Sequence, residues 1–117
     1  MAFRFENLDI WHMAVAYASQ VYSVTAKFPR HEDYGLRSQM NRAGNSISLN
    51  IAEGSAKRSK KAFDYQLEIS VGSTFEIVGA SFLAFQRKYI TKEEQKVLYN
   101  EGERLARAIN SFRNTLL

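Results

Sequence analysis

The sequence predicts an all-α fold, an antiparallel up-down-up-down bundle of four helices, and three observations predict it. Apolar residues recur three and four positions apart along most of the 117 residues, and no run alternates with period two. The chain has one proline and six glycines, too few for a turn-rich sandwich or barrel. Three short interruptions divide it into four segments, and short connections make consecutive helices antiparallel neighbours. We expect a single domain over residues 1–117.

The first two helices are predicted over residues 7–27 and 34–53. Pro29 ends the first, because proline lacks an N–H donor and disfavours helical backbone in the residue before it. Gly54 is expected to end the second in the left-handed C′ position. The predicted core stripe of the first helix is Leu8, Trp11, Val15, Ala18, Tyr22 and Thr25. That of the second is Leu36, Met40, Ala43, Ile47 and Ile51.

The third and fourth helices are predicted over residues 59–88 and 92–115. Ser59 is the expected N-cap of the third, and Thr91 followed by Glu94 has the spacing of a capping box at the start of the fourth. The predicted core stripe of the third helix is Phe63, Leu67, Val71, Thr74, Val78, Ser81 and Phe85. That of the fourth is Val97 or Leu98, Glu101, Leu105, Ala108, Phe112 and Leu116 or Leu117.

Large apolar residues also lie outside the core stripe of the third helix. A helix that is apolar on two sides is usually buried on two sides, whereas a four-helix monomer buries one. The pattern therefore leaves two interpretations, a wide stripe filled by large residues or a subunit interface at Ile69, Phe75 and Phe82. Together with Phe85 of the stripe, and with Ile77 and Tyr65, these three residues make the helix apolar over most of its circumference.

No residue pattern indicates catalysis or a metal site. The chain has no cysteine, which excludes a disulfide scaffold, a thiolate zinc site and a cysteine nucleophile. His12 and His31 lack the paired Glu-x-x-His motifs of di-iron bundles, and neither has an arginine four to six residues upstream, as HEPN-type ribonuclease sites require. Phosphate-binding glycine loops and Gly-x-Ser-x-Gly motifs are also missing. We expect no enzymatic activity, no metal and no cofactor.

The sequence carries no pattern typical of export or membrane insertion. No apolar run follows a basic N-terminal stretch, and no run of about 18 consecutive apolar residues occurs. We therefore expect a cytoplasmic protein.

The positive charge is concentrated in the second half of the chain. Residues 1–53 are neutral in sum, so the whole formal charge of +4 arises in residues 54–117. Clusters of this kind bind RNA or DNA without reading sequence, because each neutralised phosphate releases counterions. The alternative is a surface whose basic residues serve solubility. The candidate binding residues are Lys57, Arg58, Lys60 and Lys61 before the third helix, then Arg87, Lys88, Lys92, Lys96, Arg104 and Arg107.

Residues 39–54 combine a helical pattern with many poor helix formers. Asn50 lies next to the predicted core stripe, and buried polar groups need hydrogen-bond partners. We expect a polar network that fixes the second helix against the third, and a ligand site is the less favoured alternative. The expected members are Arg42, Asn50, Glu53 and Glu76.

The most specific motif in the chain is Asn50-Ile51-Ala52-Glu53-Gly54. It follows Phe5-x-x-Leu8-x-x-Trp11, Phe28-Pro29 and Tyr34-Gly35-Leu36, and it precedes Gly72-Ser73 and Tyr89-Ile90. With these motifs the chain resembles, from about residue 5 to 112, the bacterial four-helix-bundle proteins encoded in 23S rRNA intervening sequences. Asn41 and Gly44 depart from that family's usual basic residue and alanine.

The resemblance implies a four-helix bundle that assembles into a barrel-shaped homopentamer, and it implies no enzymatic activity. A related protein, the accessory protein of diversity-generating retroelements, is basic and partners a reverse transcriptase and nucleic acid. Two functions follow for this chain. The first is a non-catalytic oligomer that binds RNA or DNA through its basic surface, and the second is a scaffold for a protein partner whose basic surface is incidental.

Overall fold

The computed structural model describes residues 2–117 and contains four helices, with no strand in that range. They are α1 (Asp9–Thr25), α2 (Leu36–Ser55), α3 (Lys60–Gln86) and α4 (Lys92–Asn114), with short 3-10 helices at Arg4–Asn7 and Arg30–Glu32. Each helix packs on the next and α4 closes on α1. The bundle is 44 Å long and 22 Å across. The predicted antiparallel four-helix bundle is confirmed.

The helix ends lie within two residues of the predicted ones, and local hydrogen bonds explain where two of them begin. At the start of α3, Ser59 Oγ accepts a hydrogen bond from the Ala62 N–H at 3.0 Å. At the start of α4, Thr91 Oγ1 accepts from the Glu94 N–H at 3.1 Å, and Glu94 Oε1 accepts from the Thr91 N–H at 2.8 Å. Both predicted caps are confirmed, because capping depends on residues close in sequence.

The prediction for Gly54 is wrong. Gly54 lies inside α2, is buried and does not have a positive φ. A Cβ at this position would lie 2.8 Å from side-chain atoms of both Phe63 and Gln66. Gly54 is therefore needed for the close approach of α3 to α2, and α2 ends one residue later, at Ser55.

The predicted core face of α1 is rotated from the observed one. Val15 and Tyr22, both predicted to be buried, are 39% and 50% exposed. Tyr17 is buried instead, and its hydroxyl donates a hydrogen bond to the Leu98 carbonyl at 2.7 Å. It lies over Gly102, where a Cβ would be 2.6 Å from the Tyr17 hydroxyl oxygen. This long-range contact holds α1 in the observed rotation. Burial raises the pKa of Tyr17 above its usual value, and the nearby Glu101 carboxylate raises it by a smaller amount.

The core face of α3 also differs from the prediction. Ile77, assigned to the second apolar face, is fully buried, whereas Phe85 is exposed. The buried face includes four polar residues, and their hydroxyl and amide groups form hydrogen bonds to α2, to α4 or within α3. These four residues are Gln66, Ser70, Thr74 and Ser81.

The helix α3 is also long and apolar enough to cross a membrane, judged by length and composition alone, with a mean hydropathy of 1.3 over the relevant window. Core helices of soluble bundles pass the same test, and the inner face of α3 forms part of the bundle core.

Candidate nucleic-acid interface

The first basic cluster, which we define as Lys57, Arg58, Lys60 and Lys61, surrounds the start of α3. All four residues are exposed, and the first turn of α3 contains no acidic residue. A helix begins with unpaired N–H groups and the positive end of the helix dipole, which favour acidic residues at that position. The first turn of α4 follows this preference, with Glu93 and Glu94. The start of α3 has cations where the helix dipole favours anions.

Most of the first basic cluster is not compensated by acidic side chains. Lys57 lies 3.8 Å from the Glu53 carboxylate, one turn earlier on α2. In the part of the chain that the structure describes, Arg58, Lys60 and Lys61 form no ion pair within 4 Å. This end of the bundle therefore presents at least three cations to solvent.

Two further arginines lie at the same end of the bundle, and neither is among the binding residues predicted from the sequence. The Arg4 guanidinium lies 5.0 Å from the centre of the Phe63 ring, in the first turn of α3. Arg113 instead forms a two-point ion pair with Asp64, with its Nε 2.7 Å from Oδ1, and this contact lowers the pKa of Asp64. Arg4 can extend the cationic surface, whereas Arg113 is neutralised. Nothing in a local motif links residue 4 to residue 63.

The second basic cluster, Arg87, Lys88, Lys92 and Lys96, surrounds the connection between α3 and α4. Arg87 is paired with Glu32 at 3.3 Å. The Lys92 ammonium lies 5.1 Å from the centre of the Phe85 ring, and Lys88 and Lys96 are exposed. The 27 residues of α3 separate the two clusters, a length of about 40 Å at 1.5 Å per residue. The two clusters lie at opposite ends of the bundle.

Glu32 holds this second end together. Its carboxylate accepts hydrogen bonds from the Leu36 N–H and from the Tyr89 hydroxyl, both at 2.8 Å, besides pairing with Arg87. The Leu36 N–H, and then the Tyr89 hydroxyl, lower the pKa of Glu32 below its usual range. Because Glu32 neutralises Arg87, the exposed cations of this cluster are Lys88, Lys92 and Lys96.

Lys88 has an unusual backbone conformation. Its φ of 65° is left-handed, and no other non-glycine residue in the described chain has a positive φ. The Tyr89 N–H donates to the Ala84 carbonyl at 2.9 Å, so the turn closes α3 in the manner usually reserved for glycine. A lysine in this position costs about 1–2 kcal/mol relative to the right-handed conformation. The turn directs a cation to the surface at the expense of stability.

Two of the predicted binding residues are compensated along α4. Arg104 lies 3.2 Å from the Glu101 carboxylate, and Arg107 lies 3.6 Å from that of Glu103. Their charge is neutralised within one helix turn, so they contribute less to an anion-binding surface than the two end clusters do.

The predicted polar network has different members from those expected. Asn50 donates hydrogen bonds to the Ser46 carbonyl and hydroxyl and accepts one from Gln66, and the Ser46 hydroxyl also accepts from Ser73 at 3.0 Å. The expected members Arg42, Glu53 and Glu76 are exposed. Arg42 and Glu76 line a groove of about 420 Å³ with Ser46 and Ser73 but form no hydrogen bond to them in the described chain, and Glu53 pairs with Lys57 instead. The short side chains suffice because α2 and α3 lie close together, with the Ser46 and Ser73 hydroxyls 3.0 Å apart.

The three predicted interface residues are at the surface of α3 but do not form one patch. Phe75 and Phe82 are 67% and 50% exposed and line a groove of about 680 Å³ between α3 and α4. Tyr99 lies across this groove, with its ring centre 6.0 Å from that of Phe82. Ile69 is on the side of α3 nearer α2, about 120° around the helix from Phe75.

Comparisons with known proteins agree with the observed fold. A family model described as 23S rRNA-intervening sequence protein matches residues 6–111. A solved structure of a protein of unknown function, from the S23 ribosomal protein family of Bacteroides thetaiotaomicron VPI-5482, has a TM-score of 0.82 at 20% identity. The match covers 90% of this chain and 95% of that one. A comparison with curated proteins gives no significant match. The family match covers most of the chain, which therefore belongs to the 23S rRNA-intervening sequence protein family.

Proposed function

We propose that this protein is a non-catalytic, cytoplasmic oligomer that binds RNA or DNA through the exposed cations at the ends of its bundle. The observation that carries the proposal is the start of α3, where Lys60 and Lys61 occupy a helix turn without any acidic residue. Cations at that position destabilise the free helix, and a bound phosphate would remove the penalty.

The charge supports binding that is tolerant of sequence. Phosphate contacts position a protein on nucleic acid but carry no base information. Arg58, Lys60 and Lys61 are exposed side chains at a helix start, where they can contact phosphates. Affinity should therefore depend steeply on salt, with a slope of about −0.9 in log K against log salt for each phosphate neutralised on duplex DNA.

Assembly would multiply this charge. We propose self-association through the exposed apolar residues of α3, Phe75 and Phe82 at the α3/α4 groove and Ile69 on the side nearer α2, and a homopentamer is the state that the family resemblance implies. Five copies of a chain of charge +4 would carry +20. In a ring of parallel bundles, each basic cluster would recur around one rim, which focuses the field on a polyanion.

The second candidate is a scaffold for a protein partner. The exposed aromatic residues along α3 favour it, because contiguous apolar surface on a soluble domain commonly marks a protein contact. In that case the basic surface would serve solubility alone. Arg104 and Arg107 fit this role, because each is already paired with a glutamate.

A fluorescence-anisotropy titration against a structured RNA and a DNA duplex, at low and high salt, tests the first candidate. We expect binding at low salt that weakens steeply as salt rises, and absence of binding at low salt would overturn the proposal. A pull-down from the native cell tests the second candidate. A protein partner retained after nuclease treatment and a high-salt wash would favour the scaffold.

A further inference from the structure

An open pocket of about 600 Å³ lies beside the second basic cluster, where the chain turns from α3 into α4. Phe85, on the last turn of α3, lines it together with Lys88, Tyr89 and Ile90 of the connection. Ligand pockets commonly measure about 300–1,000 Å³ and combine apolar surface with a few polar groups. This pocket has that size and that mixed character.

Phe85 is the aromatic ring that the fold leaves available in this pocket. It is 38% exposed, and it is not paired with another aromatic ring of the described chain. Tyr89, by contrast, is held in place, because its ring centre lies 5.3 Å from that of Phe28 and its hydroxyl donates to Glu32 at 2.8 Å. Tyr89 therefore forms a fixed wall, whereas the Phe85 ring can receive a flat group.

Two lysines without acidic partners lie next to the Phe85 ring. Lys88 lines the pocket, and the Lys92 ammonium lies 5.1 Å from the ring centre. Within residues 2–117, neither lysine has a carboxylate oxygen within 4 Å of its ammonium. Lys88 is also the residue with the left-handed backbone, and backbone strain of this kind collects at binding sites.

The one carboxylate in the lining of the pocket is already compensated. Glu94 forms an ion pair with Lys27, which also lines the pocket, and it accepts a hydrogen bond from the Thr91 N–H at 2.8 Å. Glu93, the next acidic residue along α4, is not part of the lining. The remaining charge at the pocket is therefore positive, and it favours an anionic ligand.

We propose that this pocket binds an unpaired nucleotide of a nucleic-acid strand, with its base stacked on Phe85 and its phosphate contacted by Lys88 and Lys92. The proposal rests on the nucleic-acid binding proposed above and names the form of nucleic acid that this end of the bundle accepts. Every base has a flat π face, so stacking tolerates any sequence. Inside a duplex these faces are covered by neighbouring base pairs, so the pocket accepts single strands, loops and ends.

Anisotropy titrations at low salt with a labelled oligo(dT) strand and a DNA duplex of the same length test the pocket. Phe85→Leu keeps an apolar side chain but removes the ring. Its affinity for the strand should fall by about five- to a hundredfold, while its affinity for the duplex should change by less than about twofold. An equal loss for strand and duplex, or no loss for either, would overturn the proposal.

The matched control is Tyr34→Leu, which removes a fully exposed ring from the connection between α1 and α2, outside the pocket. This connection lies at the same end of the bundle, since Glu32 within it pairs with Arg87. The control should bind strand and duplex as the wild-type protein does. A loss of strand affinity in Tyr34→Leu as large as that in Phe85→Leu would count against the pocket.

The variant Phe85→Trp gives a second, spectroscopic readout, because it keeps a ring and should keep strand affinity. Stacking of a base should quench the fluorescence of the new indole, over a constant background from Trp11, which packs beside Phe5 at the other end of the bundle. Polyglutamate, an anion without bases, should not quench it. Absence of quenching by saturating oligo(dT), or equal quenching by polyglutamate, would overturn the proposal. Binding of strand and duplex that ignores Phe85 refutes only this pocket, whereas lack of binding to either refutes the proposed function as well.

Discussion

Reversing two charges at the start of α3 should make the protein more stable and its nucleic-acid binding weaker. In the variant Lys60→Glu/Lys61→Glu, each substitution removes a cation from the positive end of the helix dipole and adds an anion. At 0.3–1 kcal/mol for each of these four exposed charge changes, the free energy of unfolding should rise by about 1–4 kcal/mol. For a domain of this length the Tm should rise by roughly 4 °C for each kcal/mol.

The same variant should lose two phosphate contacts per chain. Loss of two contacts reduces the slope of log K against log salt by about 1.8 on duplex DNA, so between 50 and 200 mM salt the wild-type affinity should fall about tenfold more than that of the variant. Thermal unfolding and anisotropy titrations measure the two effects. The control Lys60→Arg/Lys61→Arg keeps both charges and should retain the wild-type Tm and salt slope. A variant that binds with the wild-type slope, or that is less stable, would refute the reasoning.

Three further predictions concern stability. Lys88→Gly should raise the free energy of unfolding by about 1 kcal/mol in urea titrations, because glycine adopts the left-handed conformation without strain; a loss of stability would contradict this. Gly54→Ala should lower the free energy of unfolding by about 1–3 kcal/mol, because overpacking against Phe63 outweighs the higher helix propensity of alanine. An unchanged urea midpoint would argue against that close contact. The ion pair of Asp64 with Arg113 lowers the folded-state pKa of Asp64, so its contribution should be complete above the ordinary value of 3.8 and disappear as pH falls through the folded value. Asp64→Asn should abolish that part of the acid-induced loss, and identical acid limbs for wild type and variant would disprove it.

The elements that could be predicted from sequence depend on neighbours along the chain. The caps at Ser59 and Thr91, the breaks and the helical periodicity all arise within a few residues, and the structure contains them. The rotation of α1 could not be predicted, because its stripe of apolar residues is nearly as good one position earlier. The buried face carries contacts between residues far apart in sequence, such as that of Tyr17 with Leu98 and Gly102.

The same distinction applies to the candidate nucleic-acid interface, because some of its features depend on nearby residues and others on contacts between distant ones. Composition along the chain reveals where the cations lie, but not which of them have acidic partners in the fold. Arg87 and Glu32 form an ion pair although they are 55 positions apart in sequence. Arg4 and Phe63, which also lie in contact, are 59 positions apart. Asn50 forms hydrogen bonds with Ser46 and Gln66. A polar cluster around Asn50 can be expected from its position beside the core stripe, whereas its partner Gln66 depends on the close approach of α2 and α3.

Binding to nucleic acid in the native cell is the central claim, and ultraviolet crosslinking followed by sequencing of the attached RNA and DNA tests it most directly. The account predicts that wild-type protein recovers crosslinked nucleic acid of varied sequence, and that Lys60→Glu/Lys61→Glu protein at equal abundance recovers several-fold less. Recovery of no nucleic acid above a mock control, or equal recovery by the two proteins, would contradict it.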